Sequence, residues 1–188
     1  MIGAIDLGYS DTKIWGNKGG ISFPSLVGTP DTARFSLNKN NDIRLSVDEL
    51  PSRLIGDGAL RQSRFTSRKE DQGWIKTSEY RYLMATAFTE ITTASNVNLS
   101  VITGLPVKFY EKDRQSLQDI FLGTYRVERV GRKAQNITVT KCHVIPQPFG
   151  AIFSQALTFN GKSLEKDLMT GRVGIVDIGG KTTNLLSF

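Results

Sequence analysis

The same pattern occurs twice in the chain, as IGAIDLGYSDTK at residues 2–13 and as VGIVDIGGKTTN at residues 173–184. Each copy is an apolar strand that ends in Asp, an apolar residue and Gly, followed by a short polar turn and a second strand. Two such hairpins predict a protein of two structurally related halves, the second of which has only begun where the sequence ends.

The aspartates of these hairpins, Asp6 and Asp177, point to the chemistry of a metal and phosphates. An aspartate between bulky apolar residues is costly to bury without a partner, and the glycine that follows lets the backbone turn sharply towards a ligand. Turn amides can converge on an anion, so two facing hairpins could grip a triphosphate while their carboxylates hold hydrated magnesium. Lys13, on the same strand face as Asp11, could reach the β and γ phosphates. One such hairpin alone would indicate an ordinary surface turn, whereas two copies in separate halves favour the ligand site.

Composition excludes several classes of protein. The chain has 188 residues, of which 39% are hydrophobic, and this is enough for an ordinary buried core. Its net charge of +6 comes without a long run of one sign, so we expect neither a basic disordered arm nor an acidic tail. No apolar stretch approaches the roughly 18 residues of a membrane span, and no leader peptide is evident. One Cys and one His argue against disulfides and a zinc site, and we expect a cytoplasmic protein.

The order of elements predicts an α/β architecture. Residues 1–23 indicate a meander of three short strands. Residues 25–76 scatter Gly, Pro, Asn and Asp among short apolar pieces, which predicts an inserted, strand-poor subdomain. Beyond Ser78 we expect helices over 78–95, 110–122 and 149–159, and strands over 99–103, 125–130, 137–145, 173–177 and 182–188.

Four side chains that invite a chemical interpretation are expected to be ordinary. Cys142 and His143 lie in a strand pattern that turns one of them inward, so we expect a packed cysteine and an ordinary histidine. Trp15 and Trp74 are expected to be packing residues, because no aromatic series accompanies them as a base-stacking surface would require.

Three further segments narrow the interpretation: Phe23-Pro24-Ser25, TGLPV at residues 103–107 and PQPFGA at residues 146–151. With the two hairpins they resemble segments of bacterial and archaeal actin-like proteins of the ParM and StbA plasmid-segregation group, within the actin, heat-shock chaperone and sugar kinase superfamily. The resemblance covers the whole chain and is weakest over residues 26–76. It implies an α/β, ribonuclease H-like, actin-type ATPase domain on a five-stranded sheet, with a small inserted subdomain and the first hairpin of a second, similar domain.

The resemblance also divides the chain. Residues 1–24 and 77–160 would form the first subdomain of the ATPase domain, residues 25–76 the insertion, residues 161–172 a connector, and residues 173–188 the start of a truncated second domain. Because both halves are needed to close the cleft, we expect an N-terminal part of a longer protein that is inactive alone.

ATP and Mg²⁺ are the cofactors that the resemblance implies, and its motifs carry site residues with them. Asp6 and Asp177 would hold the metal through water and serve catalysis. The residues that would contact the phosphates are Gly8, Tyr9, Ser10 and Lys13 in the first hairpin and Gly179, Gly180, Lys181 and Thr182 in the second.

Gln147 is the third catalytic residue that the resemblance implies. It stands where related proteins have a Gln or Glu that orients the water attacking the γ phosphate, and an amide can position water but cannot act as a strong base. Gln147 could instead order the start of the helix after Pro146. Three departures from the family pattern concern the site: Tyr9 is bulky, Lys181 replaces a small residue, and Asn184 stands where many relatives have Asp.

The implied function is that of an actin-like protein that binds Mg-ATP and polymerises into filaments for plasmid or DNA segregation, or in a related cytoskeletal role. Its partners would be further copies of itself and an adaptor that links to DNA, with no membrane and no direct contact to DNA. Basic surpluses over 53–76 and 108–133 fit a solvated surface or filament contacts. A small-molecule kinase of the same superfamily and a non-catalytic scaffold remain alternatives, and the nucleotide base stays open.

Overall fold

The computed structural model describes residues 1–17, 19–30, 42–67, 73–158, 162, 168, 171–179 and 183–187, and for residues 64–67 only the backbone. The strands are β1 (Ile2–Leu7), β2 (Asp11–Gly16), β3 (Gly19–Pro24), β4 (Val27–Pro30), β5 (Ile43–Val47), β6 (Leu50–Ile55), β7 (Ser63–Ser67), β8 (Asn96–Leu105), β9 (Gly123–Arg129), β10 (Gln135–Pro146), β11 (Gly174–Ile178) and β12 (Thr183–Ser187). The helices are α1 (Asp57–Gln62), α2 (Ser78–Ile91), α3 (Val107–Phe121) and α4 (Phe149–Ala156), with a short 3-10 turn at Trp74–Lys76.

One hydrogen-bonded sheet joins ten of these strands in the order β3-β2-β1-β8-β10-β9-β5-β6-β4-β7. At its centre β1, β8 and β10 run parallel, and the remaining pairs are antiparallel. The predicted opening meander and each element predicted beyond Ser78 are confirmed, with shifted ends. We expected five strands; the sheet is larger because β9 pairs with β5 and thereby continues into the segment at 25–76.

The expectation that residues 25–76 are strand-poor is wrong, because four strands, β4 to β7, lie there. Each has only four to six residues, so it buries too few side chains for a period-two pattern to stand out. In β5, for example, only Leu45 and Val47 are fully buried. Asp48, in the two-residue loop to β6, accepts a hydrogen bond from the backbone amide of Arg126 on β9 and thereby fixes this hairpin to the larger sheet.

The core lies between the sheet and α2. Every residue of this helix from Tyr82 to Thr89 is buried, and Thr77 caps its start by accepting a hydrogen bond from the amide of Tyr80 at 3.1 Å. Gly3 on β1 leaves room for this helix, since a Cβ there would lie 2.4 Å from Ile91 Cδ1 and the isoleucine side chain would have to shift. α3 adds Leu117 and Phe121 and contacts β10 and β8. The central strands are thus held rigidly with their carboxyl ends at one edge.

Strand alternation decides the orientation of the singled-out side chains. Cys142 is buried and His143 is exposed, as predicted, and Trp74 is buried as predicted. Trp15 is 54% exposed, so its packing is confined to the surface of the sheet. Its neighbour Ile14 points into the core, so Trp15 lies on the other face of the sheet, where its ring lies against Gly20.

The hairpin of β11 and β12 forms a separate two-stranded sheet. Its register repeats that of the first hairpin: Ile178 pairs with Thr183 as Leu7 pairs with Thr12. The repeated sequence pattern thus produces a repeated structure. Within the described ranges, no helix is long and apolar enough to cross a membrane.

Candidate functional site

A cleft of about 780 Å³ opens at the carboxyl ends of β1, β8 and β10. Ligand sites of α/β sheets commonly occupy this edge, because the strands end there together and leave their turns free to contact a ligand. Its walls include both hairpins and the turn between β10 and α4. The charged and amide side chains among its lining are Asp6, Lys13, Gln147, Asp177 and Asn184, together with Asp11 and Asp113.

The turn of the first hairpin is tightly closed. Gly8 donates its amide hydrogen to the carbonyl oxygen of Asp11 at 3.1 Å. A Cβ on Gly8 would lie 2.9 Å from that same oxygen, so only glycine fits this turn undistorted. Gly8, Tyr9 and Ser10 all line the cleft. The turn therefore places backbone at the position where an anion-binding loop was expected.

Ser25 braces this turn from behind, a role that the sequence did not disclose. Its hydroxyl donates a hydrogen bond to the carbonyl oxygen of Gly8 at 2.7 Å and lies 3.0 Å from the hydroxyl of Thr12. Its amide donates to the carbonyl oxygen of Ser10 at 2.8 Å. Ser25 is fully buried. The available signal was the Phe23-Pro24-Ser25 segment, but the partner atoms are known only once β3 folds beside β2.

Aromatic side chains support the turn from beneath. The indole nitrogen of Trp74 donates to the carbonyl oxygen of Leu7 at 3.5 Å. The rings of Tyr9 and Trp74 lie 6.1 Å apart, and Trp74 meets Tyr80 edge-on at 5.7 Å. The bulk of Tyr9, a departure from the family pattern, is therefore accommodated as a packing contact with Trp74.

Gln147 lies in the turn between β10 and α4 and faces Asp6. Its side-chain nitrogen donates to Asp6 Oδ1 at 3.2 Å, and its backbone amide donates to the carbonyl oxygen of Leu105 at 2.9 Å. Its backbone oxygen accepts from the amide of Gly150, so the backbone also orders the start of α4. With Nε2 engaged by Asp6, the carbonyl oxygen Oε1 is the atom left to accept a hydrogen bond from water.

Glycine at position 104 permits this arrangement. A Cβ there would lie 2.8 Å from Gln147 Cγ and 3.3 Å from Gln147 Cα. The side chain of Gln147 thus packs directly on the backbone at the end of β8, and this contact explains the glycine in the TGLPV segment.

Asp6 is the carboxyl group of the cleft whose pKa is perturbed. Burial raises the pKa of the Asp6 carboxyl group, and the negative charge of Asp177 adds to the rise. The positive charge of Lys13, the partner of Asp6 across the hairpin, and the hydrogen bond from Gln147 both oppose the rise. Asp6 and Asp177 therefore lie within electrostatic range of each other, and their like charges favour a bound cation. No three metal-ligating side chains cluster in the described part of the chain. Two carboxylates fit magnesium, which keeps several of its own waters.

The second hairpin presents its aspartate in the same register as the first. Asp177 pairs with Asn184 as Asp6 pairs with Lys13, and Asn184 donates from its amide nitrogen to Asp177 Oδ2 at 3.2 Å. Gly179 lines the cleft. The other predicted residues of this turn, Gly180, Lys181 and Thr182, lie outside the described residues.

One family of proteins matches the sequence: its description is "Actin like proteins N terminal domain", and the match spans residues 4–150. No curated protein matches the sequence significantly.

Solved structures match nearly the whole chain. The apo ParM protein of psk41 is 19% identical with a TM-score of 0.84, over 100% of this chain and 61% of its own. A ParM filament from Clostridium botulinum is 26% identical with a TM-score of 0.79, over 100% of this chain and 58% of its own. Ta0583, an archaeal actin homologue in complex with ADP, is 19% identical with a TM-score of 0.70, over 99% and 55%. The chain thus spans little more than half the length of these proteins.

Proposed function

Since the chain belongs to the family of actin-like proteins and carries their N-terminal domain, we propose that it forms one wall of a Mg-ATP site in a cytoplasmic, filament-forming ATPase. The observation that carries this proposal is the convergence of Asp6, Lys13, Gln147 and Asp177 on one cleft at the ends of the central strands. The ADP complex of the archaeal homologue and the filament from Clostridium botulinum support nucleotide binding and self-association.

Each residue has a defined role in this proposal. The amides of Tyr9 and Ser10 donate to phosphate oxygens, and Gly8, whose own amide is bonded to Asp11, lets the turn approach the phosphates closely. The ammonium group of Lys13 neutralises charge on the β and γ phosphates. Asp6 and Asp177 accept hydrogen bonds from the waters of the magnesium ion. Bound magnesium supplies the charge that offsets the phosphates.

The second turn completes the phosphate cradle in the same proposal. Because this hairpin resembles the first, its turn contributes amides and a hydroxyl group to the phosphates, from Gly179, Gly180, Lys181 and Thr182.

Gln147 positions the attacking water. Asp6 holds its Nε2, so its Oε1 accepts a hydrogen bond from a water molecule on the side of the γ phosphate. The water oxygen forms a bond to the γ phosphorus, the bond to the bridging oxygen breaks, and the proton leaves with inorganic phosphate or passes to solvent. Hydrolysis would time filament disassembly, and an adaptor would link filaments to plasmid or other DNA.

The test uses protein expressed from the entire reading frame, because the chain spans little more than half the length of its relatives. We expect light scattering to rise when Mg-ATP is added, and Gln147→Ala to lower turnover by about 10²-fold. The matched control is Gln155→Ala, which changes an exposed glutamine on α4 and leaves turnover unchanged.

Asp177→Ala is expected to abolish magnesium-dependent turnover, whereas Asp119→Ala, which changes an exposed carboxylate on α3 outside the cleft lining, leaves turnover unchanged. Wild-type turnover in both Gln147→Ala and Asp177→Ala would reject the assignment of this cleft.

A further inference from the structure

Asn184 is the one buried residue of β12, and it is polar. Only 7% of the residue is exposed, and it lines the cleft. Its side-chain amide donates a hydrogen bond to Asp177 Oδ2 at 3.2 Å, directly across the hairpin. Buried polar side chains are generally held by hydrogen bonds. The contact with Asp177 therefore accounts for an asparagine at this position.

Both paired aspartates of the cleft are held in the same way. The side-chain amide of Gln147 donates to Asp6 Oδ1 at 3.2 Å, and that of Asn184 donates to Asp177 Oδ2 at the same distance. The two donors come from different elements, the turn that precedes α4 and the strand β12. Each aspartate thus has one oxygen engaged by a carboxamide and a second oxygen with which to accept a hydrogen bond from a ligand.

A carboxamide orients a carboxylate without cancelling its charge. A lysine in the same place would also donate a hydrogen bond, but its positive charge would weaken the attraction of the carboxylate for a cation. The first hairpin has this arrangement, because Lys13 lies across from Asp6 and its charge acts on that carboxyl group. At the corresponding position across from Asp177, the second hairpin has the neutral Asn184. The hydrogen bond therefore fixes Asp177 without bringing a positive charge to it.

We propose that Asn184 is the positioning residue for Asp177, and that it thereby sets the affinity of the cleft for the hydrated magnesium ion of Mg-ATP. This inference rests on the nucleotide site proposed above. Asn184 acts only through Asp177, whose second oxygen accepts hydrogen bonds from the waters of the ion. Hydrogen-bond partners of metal-binding carboxylates typically contribute about 10–100-fold to metal affinity.

The first test measures how much Mg²⁺ the protein needs in order to bind nucleotide, in protein from the entire reading frame. Asn184→Leu keeps the size of the side chain and removes the donor. We expect the Mg²⁺ concentration for half-maximal ATP binding, measured by calorimetry, to rise about tenfold or more, with ATP binding in the absence of Mg²⁺ changed less than about threefold. Asn98→Leu, the same change at an exposed position of β8 outside the cleft lining, is the control.

A second variant separates orientation from charge. Asn184→Lys copies the residue of the first hairpin, so it keeps a donor but brings a positive charge to Asp177. We expect this variant to need at least as much Mg²⁺ as Asn184→Leu. Wild-type Mg²⁺ dependence in the leucine variant would overturn the positioning role, and wild-type dependence in the lysine variant would overturn the requirement for a neutral donor.

Turnover distinguishes a weakened metal site from a damaged fold. In Asn184→Leu, kcat at saturating Mg²⁺ should recover to within about threefold of wild type, because only the affinity for the ion is reduced. A kcat that stays low at every Mg²⁺ concentration would show a structural role instead and overturn the proposal. A wild-type protein that binds no Mg-ATP would refute the proposed function and this inference with it, whereas wild-type binding with unchanged Mg²⁺ dependence in both variants would refute this inference alone.

Discussion

The hydroxyl of Ser25 donates a hydrogen bond to the carbonyl oxygen of Gly8, 2.7 Å away and 17 residues earlier in the chain. Because Gly8 opens the turn that faces the cleft, this bond ties the candidate phosphate loop to the segment that joins β3 and β4. The loop is therefore held from both sides, by Ser25 behind and by Trp74 beneath. A loop fixed in this way loses little conformational freedom when it binds a ligand.

Replacing Ser25 by alanine should weaken this brace. The carbonyl oxygen of Gly8 and the hydroxyl of Thr12 would lose their partner in a buried place, so we expect the free energy of unfolding to fall by about 1–3 kcal/mol. Urea denaturation of the chain measures this change. Ser22→Ala, at an exposed position of β3, is the control and should stay within about 0.5 kcal/mol of wild type. Equal stability of the two variants would mean that the brace is not needed.

Trp74 should report on nucleotide binding. Its indole nitrogen bonds to Leu7 and its ring lies beside Tyr9, so a ligand on the turn changes its surroundings. The chain has two tryptophans; with Trp15→Phe as background, the emission of Trp74 should shift on addition of Mg-ATP. A Trp74→Phe variant that retains Trp15 is the control and should show a smaller change. An unaltered Trp74 spectrum at saturating nucleotide would argue against contact between the phosphates and this turn.

The sequence predicted the part of the site that is local. An Asp followed by an apolar residue and Gly defines a strand end and its turn within a few residues, so both hairpins, and even their shared register, follow from the repeated pattern. Ser25 could not be identified in this way, because its role depends on which strands become neighbours. The exposure of Trp15 and the continuation of the sheet through β9 depend on the same tertiary pairing.

The raised pKa of Asp6 predicts a pH dependence of stability. A carboxyl group that binds its proton more tightly in the folded state favours folding at low pH. Its contribution is lost as the pH rises from the ordinary value of 3.8 through the raised folded pKa, and the charged carboxylate is a cost at neutral pH. Asp6→Asn keeps an acceptor for Gln147 and removes that charge, so it should raise the melting temperature at pH 7 and lose this advantage below pH 3.8.

The same variant separates stability from function. If Asp6 holds the hydrated metal, Asp6→Asn should no longer gain stability from Mg-ATP, although it melts higher without it. Asp119→Asn, at an exposed position of α3 outside the cleft lining, is the control and should keep the wild-type response to Mg-ATP. An Asp6→Asn variant that is less stable than wild type at pH 7 would show that its attraction to Lys13 outweighs its burial.

Gly104→Ala tests whether the placement of Gln147 matters for turnover. The new Cβ would lie 2.8 Å from Gln147 Cγ, and the glutamine backbone is close behind, so the side chain has to move and its bond to Asp6 breaks. We expect turnover in protein from the entire reading frame to fall about tenfold or more, with nucleotide affinity nearly unchanged. The free energy of unfolding should fall by about 1–3 kcal/mol. Gly150→Ala is a matched control, because a Cβ at this position has no atom within 4 Å. Gly150 lies in α4, where alanine stabilises the helix by about 0.5–1 kcal/mol relative to glycine. If both variants hydrolyse ATP at the wild-type rate, the contact between β8 and Gln147 is a packing feature and the attacking water is positioned by another group.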